Sequence, residues 1–184
     1  MNNEAMFRFG YGLYVLTAQE NGFDNGCIIN TAMQVTDSPK RIMVIVNKQN
    51  KTHDMLVNTG VFTISMIAED AGFDLFQHFG FQSGNTVNKF ADYKNCARGA
   101  NGVYYITKGT NAYVSAKVVS MQAMGTHTIF IAEVTDAEIL TNVPTTTYTY
   151  YQDHIKPKPE KPKSGKTTWV CKICGYVYEG DPLP

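Results

Sequence analysis

The sequence predicts a mainly β protein built around a small antiparallel barrel with short helices. Six or more runs of strand length, rich in β-branched and aromatic residues, are separated by glycine-containing turns. No helical pattern in the 184 residues is long, and the strand–helix–strand alternation of a parallel sheet is missing. Short strands joined by turns close most simply into a barrel, which is therefore the expected architecture.

The first two strands are expected to form a hairpin. Residues 13–18 and 27–31 are β-rich runs, and the segment 21–26 between them contains two Asn-Gly steps. Asn-Gly supplies the positive φ angles that tight hairpin turns require. Residues 42–46 form a continuous apolar run, which predicts a strand buried on both faces.

A short helix is predicted after this apolar strand. Thr52 is expected to cap its N-terminus through the side-chain hydroxyl, and Gly60 suits a left-handed exit at its other end. The preceding loop therefore leads into a helix N-terminus, where free N–H groups and the helix dipole attract a phosphate. A solvated turn with an ordinary helix cap is the alternative interpretation.

The remainder of the barrel follows from further strand-like runs. Residues 61–67 alternate as a strand does, and residues 74–79 and 88–93 are predicted to form short helical pieces. Strand character then returns three times, at residues 103–106, 112–121 and 128–134. Tyr148, Tyr150 and Tyr151 follow with the alternation of an edge strand or a dimer contact, and they are interpreted as packing residues.

Bulk composition excludes several classes of protein. The formal net charge is zero, so there is no basic footprint for a nucleic acid. No apolar run approaches the roughly 20 residues of a membrane span, and the N-terminus lacks the pattern of a signal peptide. The four cysteines fit thiols and metal ligands in a reducing compartment better than a disulfide framework. A cytoplasmic protein is expected.

The composition changes near residue 156 and divides the chain into three parts. Residues 1–155 are assigned to the barrel domain, residues 156–167 to a linker, and residues 168–184 to a small tail segment. The linker alternates lysine with proline and has no apolar residue to bury, so it is predicted to be extended and semi-rigid. Its lysines could also dock an acidic partner.

The tail carries one Cys-x-x-Cys knuckle, formed by Cys171 and Cys174. With the surrounding Gly-Tyr-Val-Tyr and Asp-Pro, it resembles the first half of a rubredoxin, in which four thiolates hold one iron. Two cysteines cannot complete such a site, so this tail is expected to be metal-free and disordered unless its other iron ligands come from another chain or from a longer natural protein. A zinc ribbon and a redox dithiol are the alternatives.

Residues 25–52 carry the second resemblance. An apolar strand here lies between small polar segments, and with the surrounding residues 7–151 it resembles the flavin reductase-like family. The resemblance implies a six-stranded Greek-key split β-barrel, a homodimer and an FMN near the dimer interface. The residues implied for the flavin ring are Cys27, Ile28, Asn30, Thr31, Ala32 and Met33, and those implied for the phosphate are Lys48, Asn50, Lys51 and Thr52.

The segment Gly125-Thr126-His127 resembles the family's Gly-Asp-His motif, with Thr126 at a position where an acid often occurs. The resemblance places His127 against the nicotinamide or the flavin. Each of these residues also has a structural interpretation. Cys27 can be a small buried hydrophobe, Asn30 and Thr31 ordinary turn residues, and His127 a hydrogen-bonded structural histidine.

Together the two resemblances imply an NAD(P)H oxidoreductase. A nicotinamide delivers two electrons as a hydride, whereas an iron in four thiolates accepts one, and a flavin can convert between them. The expected acceptor beyond the iron is a flavodiiron protein that reduces O₂ or NO. The alternatives are a non-enzymatic flavoprotein that carries electrons between proteins, and a split-barrel module that binds haem or pyridoxal phosphate.

Overall fold

A computed structural model describes residues 2–158, 168–170 and 177–179. After a 3-10 turn at Asn3–Arg8, the first half contains β1 (Tyr14–Glu20), β2 (Phe23–Ile29), β3 (Ala32–Thr36), β4 (Arg41–Asn47), α1 (Lys51–Thr59), β5 (Val61–Ile67) and α2 (Phe73–Gly80). The second half contains β6 (Cys96–Arg98), β7 (Tyr104–Ile106), β8 (Thr110–Met124), β9 (His127–Ile139), α3 (Tyr148–Tyr150), a π-helical turn (Tyr151–Ile155), β10 (Thr168–Val170) and β11 (Val177–Glu179).

Seven antiparallel strands form one sheet in the order β2-β1-β5-β8-β9-β4-β3. Its two outer strands, β2 and β3, are consecutive in the chain and are joined by only Asn30 and Thr31. The sheet must therefore curl until its two outer strands come together at this link, where Ile45 N–H donates to Thr31 O at 3.1 Å and continues the β3–β4 pairing. The curl confirms the mainly β, antiparallel prediction and gives the barrel shape.

The strand count differs from the expected six because β3 belongs to the main sheet. Six strands were predicted close to their observed positions, at β1, β4, β5, β7, β8 and β9. Strand β3 was missed because Met33, Gln34 and Val35 are all exposed, so the alternation of a half-buried strand does not occur there. Its position is set by pairing with β4.

The predicted β1–β2 hairpin is confirmed, with a turn shorter than expected. Asn21 and Gly22 both have positive φ, at 52° and 79°, and form a two-residue turn. Residues 23–26 continue β2 instead of widening the turn, and Glu20 pairs with Phe23. The local chemistry of one Asn-Gly step is sufficient to reverse the chain here.

The prediction that β4 is buried on both faces is wrong. Ile42, Val44 and Val46 point into the barrel core, whereas Met43 and Ile45 are only half-buried. The outer face of β4 is not covered by a second layer, as is common in antiparallel sheets. The core itself contains the fully buried Phe62, Phe130 and Leu16 and the inner side of α1.

The helical predictions are partly confirmed. Helix α2 forms where one was expected, and α1 ends at Gly60 with φ of 66° in the left-handed region. Residues 88–93 are irregular instead of helical. Lys89 is turned into the interior there, and its ammonium donates to carbonyl groups of β2 and α2, a tertiary contact that helix propensity does not anticipate.

The tyrosine-rich segment after β9 is helical, so the edge-strand interpretation is wrong, whereas the interpretation of Tyr151 as a packing residue agrees with its burial. The Thr147 hydroxyl accepts from Tyr150 N–H at 3.1 Å and caps the turn that continues into the π-helical segment. Tyr151 is 7% exposed, and its ring centroid lies 4.4 Å from that of Phe76 on α2. This segment therefore packs beside α2, not along the sheet.

Beyond the barrel, β10 and β11 pair antiparallel, with Thr168 opposite Glu179. Cys171 and Cys174, the predicted iron ligands, lie outside the described residues, as does most of the predicted linker. Within the described ranges, no group of three or more histidine, cysteine and acidic side chains is arranged to hold a metal. The same ranges contain no helix with the length and hydrophobicity of a membrane span.

Candidate functional site

Two adjoining cavities form one groove on the barrel surface beside α1 and α2. They share four lining residues, Leu13, Ile28, Asn50 and Tyr148. The first cavity, here called the polar lobe, has a volume of about 300 Å³ and also includes Ile29, Asn30, Ile45, Asn47 and His127. The second, here called the aromatic lobe, has a volume of about 210 Å³ and also includes Cys27, Phe76, Phe79, Gly80, Phe81, Gln82, Tyr151, Gln152 and Lys156.

The polar lobe borders the N-terminus of α1, where it joins the aromatic lobe at Asn50. Asn47 begins the turn into this helix, because its Oδ1 accepts from Gln49 N–H at 2.9 Å and its carbonyl accepts from Asn50 N–H at 3.1 Å. Asn50 is the N-cap residue, but its side chain makes no capping hydrogen bond. The first-turn N–H groups are consequently not closed off by a side chain, as a phosphate site requires.

The predicted cap role of Thr52 is wrong. Thr52 is the second residue of α1 and is fully buried, and its hydroxyl accepts from Asn25 Nδ2 at 3.1 Å. Its side chain therefore fastens α1 to β2, and only its backbone belongs to the helix N-terminus. Lys51, the first residue of α1, is half-buried, and Lys48 is exposed on the preceding turn.

His127 is brought to the same lobe by long-range strand pairing. It is the first residue of β9 and pairs with Asn47 at the end of β4. Its Nδ1 lies 2.9 Å from the hydroxyl of Thr126, the residue at the motif's usual acidic position. The backbone of the same turn is held to β4, because Lys48 N–H donates to Thr126 O at 3.0 Å.

Behind His127, a buried histidine joins α1 to β9. His53 is 8% exposed; its Nε2 lies 2.9 Å from the Thr128 hydroxyl, and its Nδ1 lies 3.0 Å from the Asp54 carboxylate. These contacts hold the first turn of α1 against the strand that carries His127. The distance between the N-terminus of α1 and His127 on β9 is therefore set by packed side chains.

Cys27 forms part of the floor of the aromatic lobe, and its chemistry is that of a buried apolar residue. It is 4% exposed, and burial raises the pKa of its thiol to about 11, although a hydrogen bond with Thr52 and the charge of Lys89 act in the opposite direction. A neutral thiol is a poor nucleophile, which agrees with the structural interpretation of this residue.

The structure separates the residues predicted for the flavin ring into two sets. Cys27, Ile28 and Asn30 line the groove, and Thr31 occupies the link beside Asn30. Ala32 and Met33 instead line a different cavity of about 350 Å³ at the open end of the barrel. Because β3 begins at Ala32 and diverges from β2, residues adjacent in sequence come to line different cavities.

Several groove residues were not anticipated as site residues. Leu13, Asn47, Phe79, Tyr148 and Tyr151 line it, and Tyr148 belongs to both lobes. The spacing of Tyr148 and Tyr151 by three is compatible with one helical face, a signal that the interpretation as an edge strand missed. The position of α2 depends on packing that no local pattern specifies.

The groove fits a phosphorylated flat aromatic molecule. Leu13, Ile28 and the Tyr148 ring lie where the two lobes join and suit an aromatic face, and Asn50 at the same junction has an amide without a capping role. Asn30, Asn47 and His127 supply additional hydrogen-bonding groups in the polar lobe. Apolar walls and hydrogen-bonding groups beside a helix N-terminus could hold a phosphorylated aromatic cofactor such as FMN.

Comparisons with known proteins identify the family of the chain. Residues 6–159 match the model of the flavin reductase like domain. The chain is 36% identical to the high molecular weight rubredoxin of Moorella thermoacetica over 200 residues, covering 99% of this chain and 86% of that protein. It is also 36% identical to the ferric-chelate reductase (NAD(P)H) of Archaeoglobus fulgidus, covering 94% of this chain and all of that protein.

A similar fold occurs among solved structures. The flavin reductase PheA2 in its native state superposes with a TM-score of 0.67 at 26% identity, covering 80% of this chain and 93% of that one. The family match extends from the 3-10 turn through the helical segment that closes the aromatic lobe. The chain therefore belongs to the flavin reductase-like domain family and is an oxidoreductase.

Proposed function

We propose that this protein is an FMN-dependent NAD(P)H oxidoreductase that passes electrons through a rubredoxin-type iron centre. The observation that carries the proposal is the continuous groove, in which the N-terminus of α1 and an aromatic-walled lobe lie side by side. Support for NAD(P)H comes from the name of the Archaeoglobus relative, and support for the rubredoxin comes from the name of the Moorella relative.

Different residues of the groove are assigned to the phosphate and to the ring of FMN. We assign the phosphate to the first-turn N–H groups of α1, with Asn50, Lys51 and Lys48 around them and the backbone of Thr52 within the turn. Cys27, Ile28, Asn30 and Thr31 are assigned to the ring. Ala32 and Met33, which line the other cavity, are assigned to the surface around the site and not to ring contacts.

A bound flavin accepts a hydride from a nicotinamide and releases electrons singly, and the protein supplies orientation and exclusion of water. Tyr148 and Phe81 stand at the groove with 39% and 41% of their surfaces exposed, so they can cover an incoming nicotinamide ring. His127 is assigned as a contact to that ring or to the flavin, with Thr126 orienting its Nδ1 side. No proton transfer by the protein is required for the hydride step.

The rubredoxin-like tail is assigned as the first electron acceptor, with Cys171 and Cys174 as two of the iron ligands. A tethered acceptor remains at high effective concentration near the flavin. The terminal acceptor is proposed to be a flavodiiron protein that reduces O₂ or NO in the cytoplasm. Because one relative is named a ferric-chelate reductase, ferric chelates are included as a competing acceptor in the tests.

The test is the visible spectrum of the full chain with FMN and iron, recorded under anaerobic conditions before and after NADH or NADPH. Bleaching of the flavin bands is the expected result, followed by electron delivery to an added rubredoxin or to an added ferric chelate. A flavin that binds but is not bleached by either nucleotide supports the alternative, an electron carrier between proteins. A protein that binds no flavin contradicts both functions.

A further inference from the structure

One buried cation lies next to the groove and has no role in the assignments above. Lys89 is 3% exposed and, among the described residues, is the one aspartate, glutamate, lysine or arginine that is buried. Its Nζ donates to Gly26 O at 2.8 Å and to Phe79 O at 2.9 Å. Within the described part of the chain, no carboxylate lies within 4 Å of this ammonium group.

The position of Lys89 follows from a close approach of β2 to α2. A Cβ atom on Gly26 would lie 3.1 Å from the Phe79 ring, so any larger residue would crowd this ring where the strand and the helix meet. This contact brings the two carbonyl groups within reach of one ammonium. Cys27 follows Gly26, and both Cys27 and Phe79 line the aromatic lobe. The cation therefore lies directly behind the floor of the groove.

A buried cation without an anionic partner is unfavourable, because the protein's carbonyl dipoles replace only part of its lost hydration. Burial accordingly lowers the pKa of Lys89, while its neighbour Cys27 acts in the opposite direction. The Cys27 thiol is neutral at physiological pH, since burial raises its pKa to about 11, and it supplies no counter-charge. A negative charge brought into the lobe by a ligand would be stabilised by this ammonium.

We propose that Lys89 is the counter-charge for an anionic ring in the aromatic lobe, and that it makes the groove prefer reduced FMN over oxidised FMN. The inference rests on the proposed function and adds a residue that tunes the affinity of the site. Reduced flavin loses the N1 proton readily and carries negative charge on its ring, whereas the oxidised ring is neutral. Lys89 would stabilise the ring electrostatically from behind the groove floor and would take no part in the chemical step.

The test compares the affinities of the apoprotein for oxidised FMN and for dithionite-reduced FMN, measured by anaerobic titration. Lys89→Met removes the charge. It is expected to weaken the binding of reduced FMN, relative to that of oxidised FMN, on the order of tenfold. Lys94→Met is the matched control, because Lys94 is exposed on the same loop and is not part of the groove. This control is expected to leave the ratio unchanged.

Lys89→Gln provides a second variant, because it retains a hydrogen-bond donor for the carbonyl groups without the charge. The same loss is expected in whichever variants fold, as monitored by circular dichroism. If both affinities fall equally, so that the ratio equals that of the wild type, Lys89 only fastens its loop and the proposal is overturned. Failure of the proposed function looks different, because the wild type would then bind neither form of FMN.

Discussion

At the scale of single residues, the groove combines side chains with different tasks. Asn50 occupies the cap position of α1 without using its side chain, so the helix N-terminus remains available. Cys27, by contrast, is buried and neutral, and it contributes shape to the groove and no reactivity. A residue that a family pattern places in a site can therefore contribute packing alone. Burial distinguishes such a residue from one whose side chain is available to a ligand.

Asn50→Asp tests the phosphate assignment by separating helix stability from ligand binding. An aspartate at an N-cap favours the helix dipole, so the apoprotein is expected to be as stable as the wild type or slightly more stable. The same carboxylate repels a phosphate, and the dissociation constant for FMN is expected to rise about tenfold or more. Thermal unfolding and fluorescence titration measure the two effects, with the neutral Asn50→Ser as control. Unchanged FMN affinity in Asn50→Asp would place the phosphate elsewhere.

The buried Cys27 thiol is expected to make the folded protein less stable as the pH becomes alkaline. Burial raises the pKa of the folded thiol to about 11, whereas the unfolded thiol titrates near the ordinary pKa of 9.0. The folded state therefore binds more protons between these values, and stability falls as pH rises from about 9 to 11. Two pKa units correspond to at most about 3 kcal/mol.

Cys27→Ala removes this titration. Urea unfolding at several pH values is expected to show a smaller decline for the variant than for the wild type across that window. The variant loses some packing at every pH, so the comparison is between slopes and not between absolute stabilities. Parallel curves for the two proteins would show that the thiol does not contribute.

At the scale of elements, turn chemistry decides where strands reverse, and tertiary pairing decides where they extend. The β1–β2 turn needs φ values of 52° and 79° at Asn21 and Gly22, which asparagine and glycine adopt with little cost. Strand β2 then extends to Ile29 because β1 pairs along its whole length. The turn is a local property, whereas the strand length is cooperative.

Gly22→Ala isolates the backbone contribution of this turn. No atom lies within 4 Å of the Cβ that alanine would add at Gly22, so the change introduces strain from the positive φ and no steric clash. We expect a loss of about 1 kcal/mol in the free energy of unfolding by urea. Gly10→Ala is the control, because Gly10 also has open space and its φ lies outside the positive region. Equal stabilities of the two variants would contradict the turn assignment.

At the scale of the whole molecule, the curled sheet leaves an apolar surface near the open end of the barrel. Met33 and Val35 on the edge strand β3 are 57% and 52% exposed, beside the 350 Å³ cavity that Met33 lines. Exposed apolar residues on an edge strand favour association with another chain unless they are covered. The homodimer expected from the family resemblance would cover them.

The prediction is a particle of twice the chain mass of 20.5 kDa in light scattering. Val35→Lys adds a charge to the edge strand and is expected to shift the protein towards the monomer at micromolar concentration. Val57→Lys is the matched control, because Val57 is also exposed but lies on α1. If both variants became monomeric, or if neither did, the dimer interface would not lie on β3.

The sequence by itself determined the mainly β class, the Asn21–Gly22 turn, the left-handed exit at Gly60 and the segment around Asn50 that begins α1. These features depend on the conformations of a few neighbouring residues, and such preferences are visible in a local pattern. The family resemblance added the groove residues Cys27, Ile28 and His127, whose roles no spacing alone could indicate.

Only the tertiary structure decided which cavity each residue lines. It turned Ala32 and Met33 to the barrel end, placed Tyr148 and Tyr151 beside α2, and buried Lys89 behind the groove. These positions depend on the curl of a seven-stranded sheet and on contacts between residues far apart in the chain. Such contacts form only when the whole sheet closes, and no short window of sequence contains both partners.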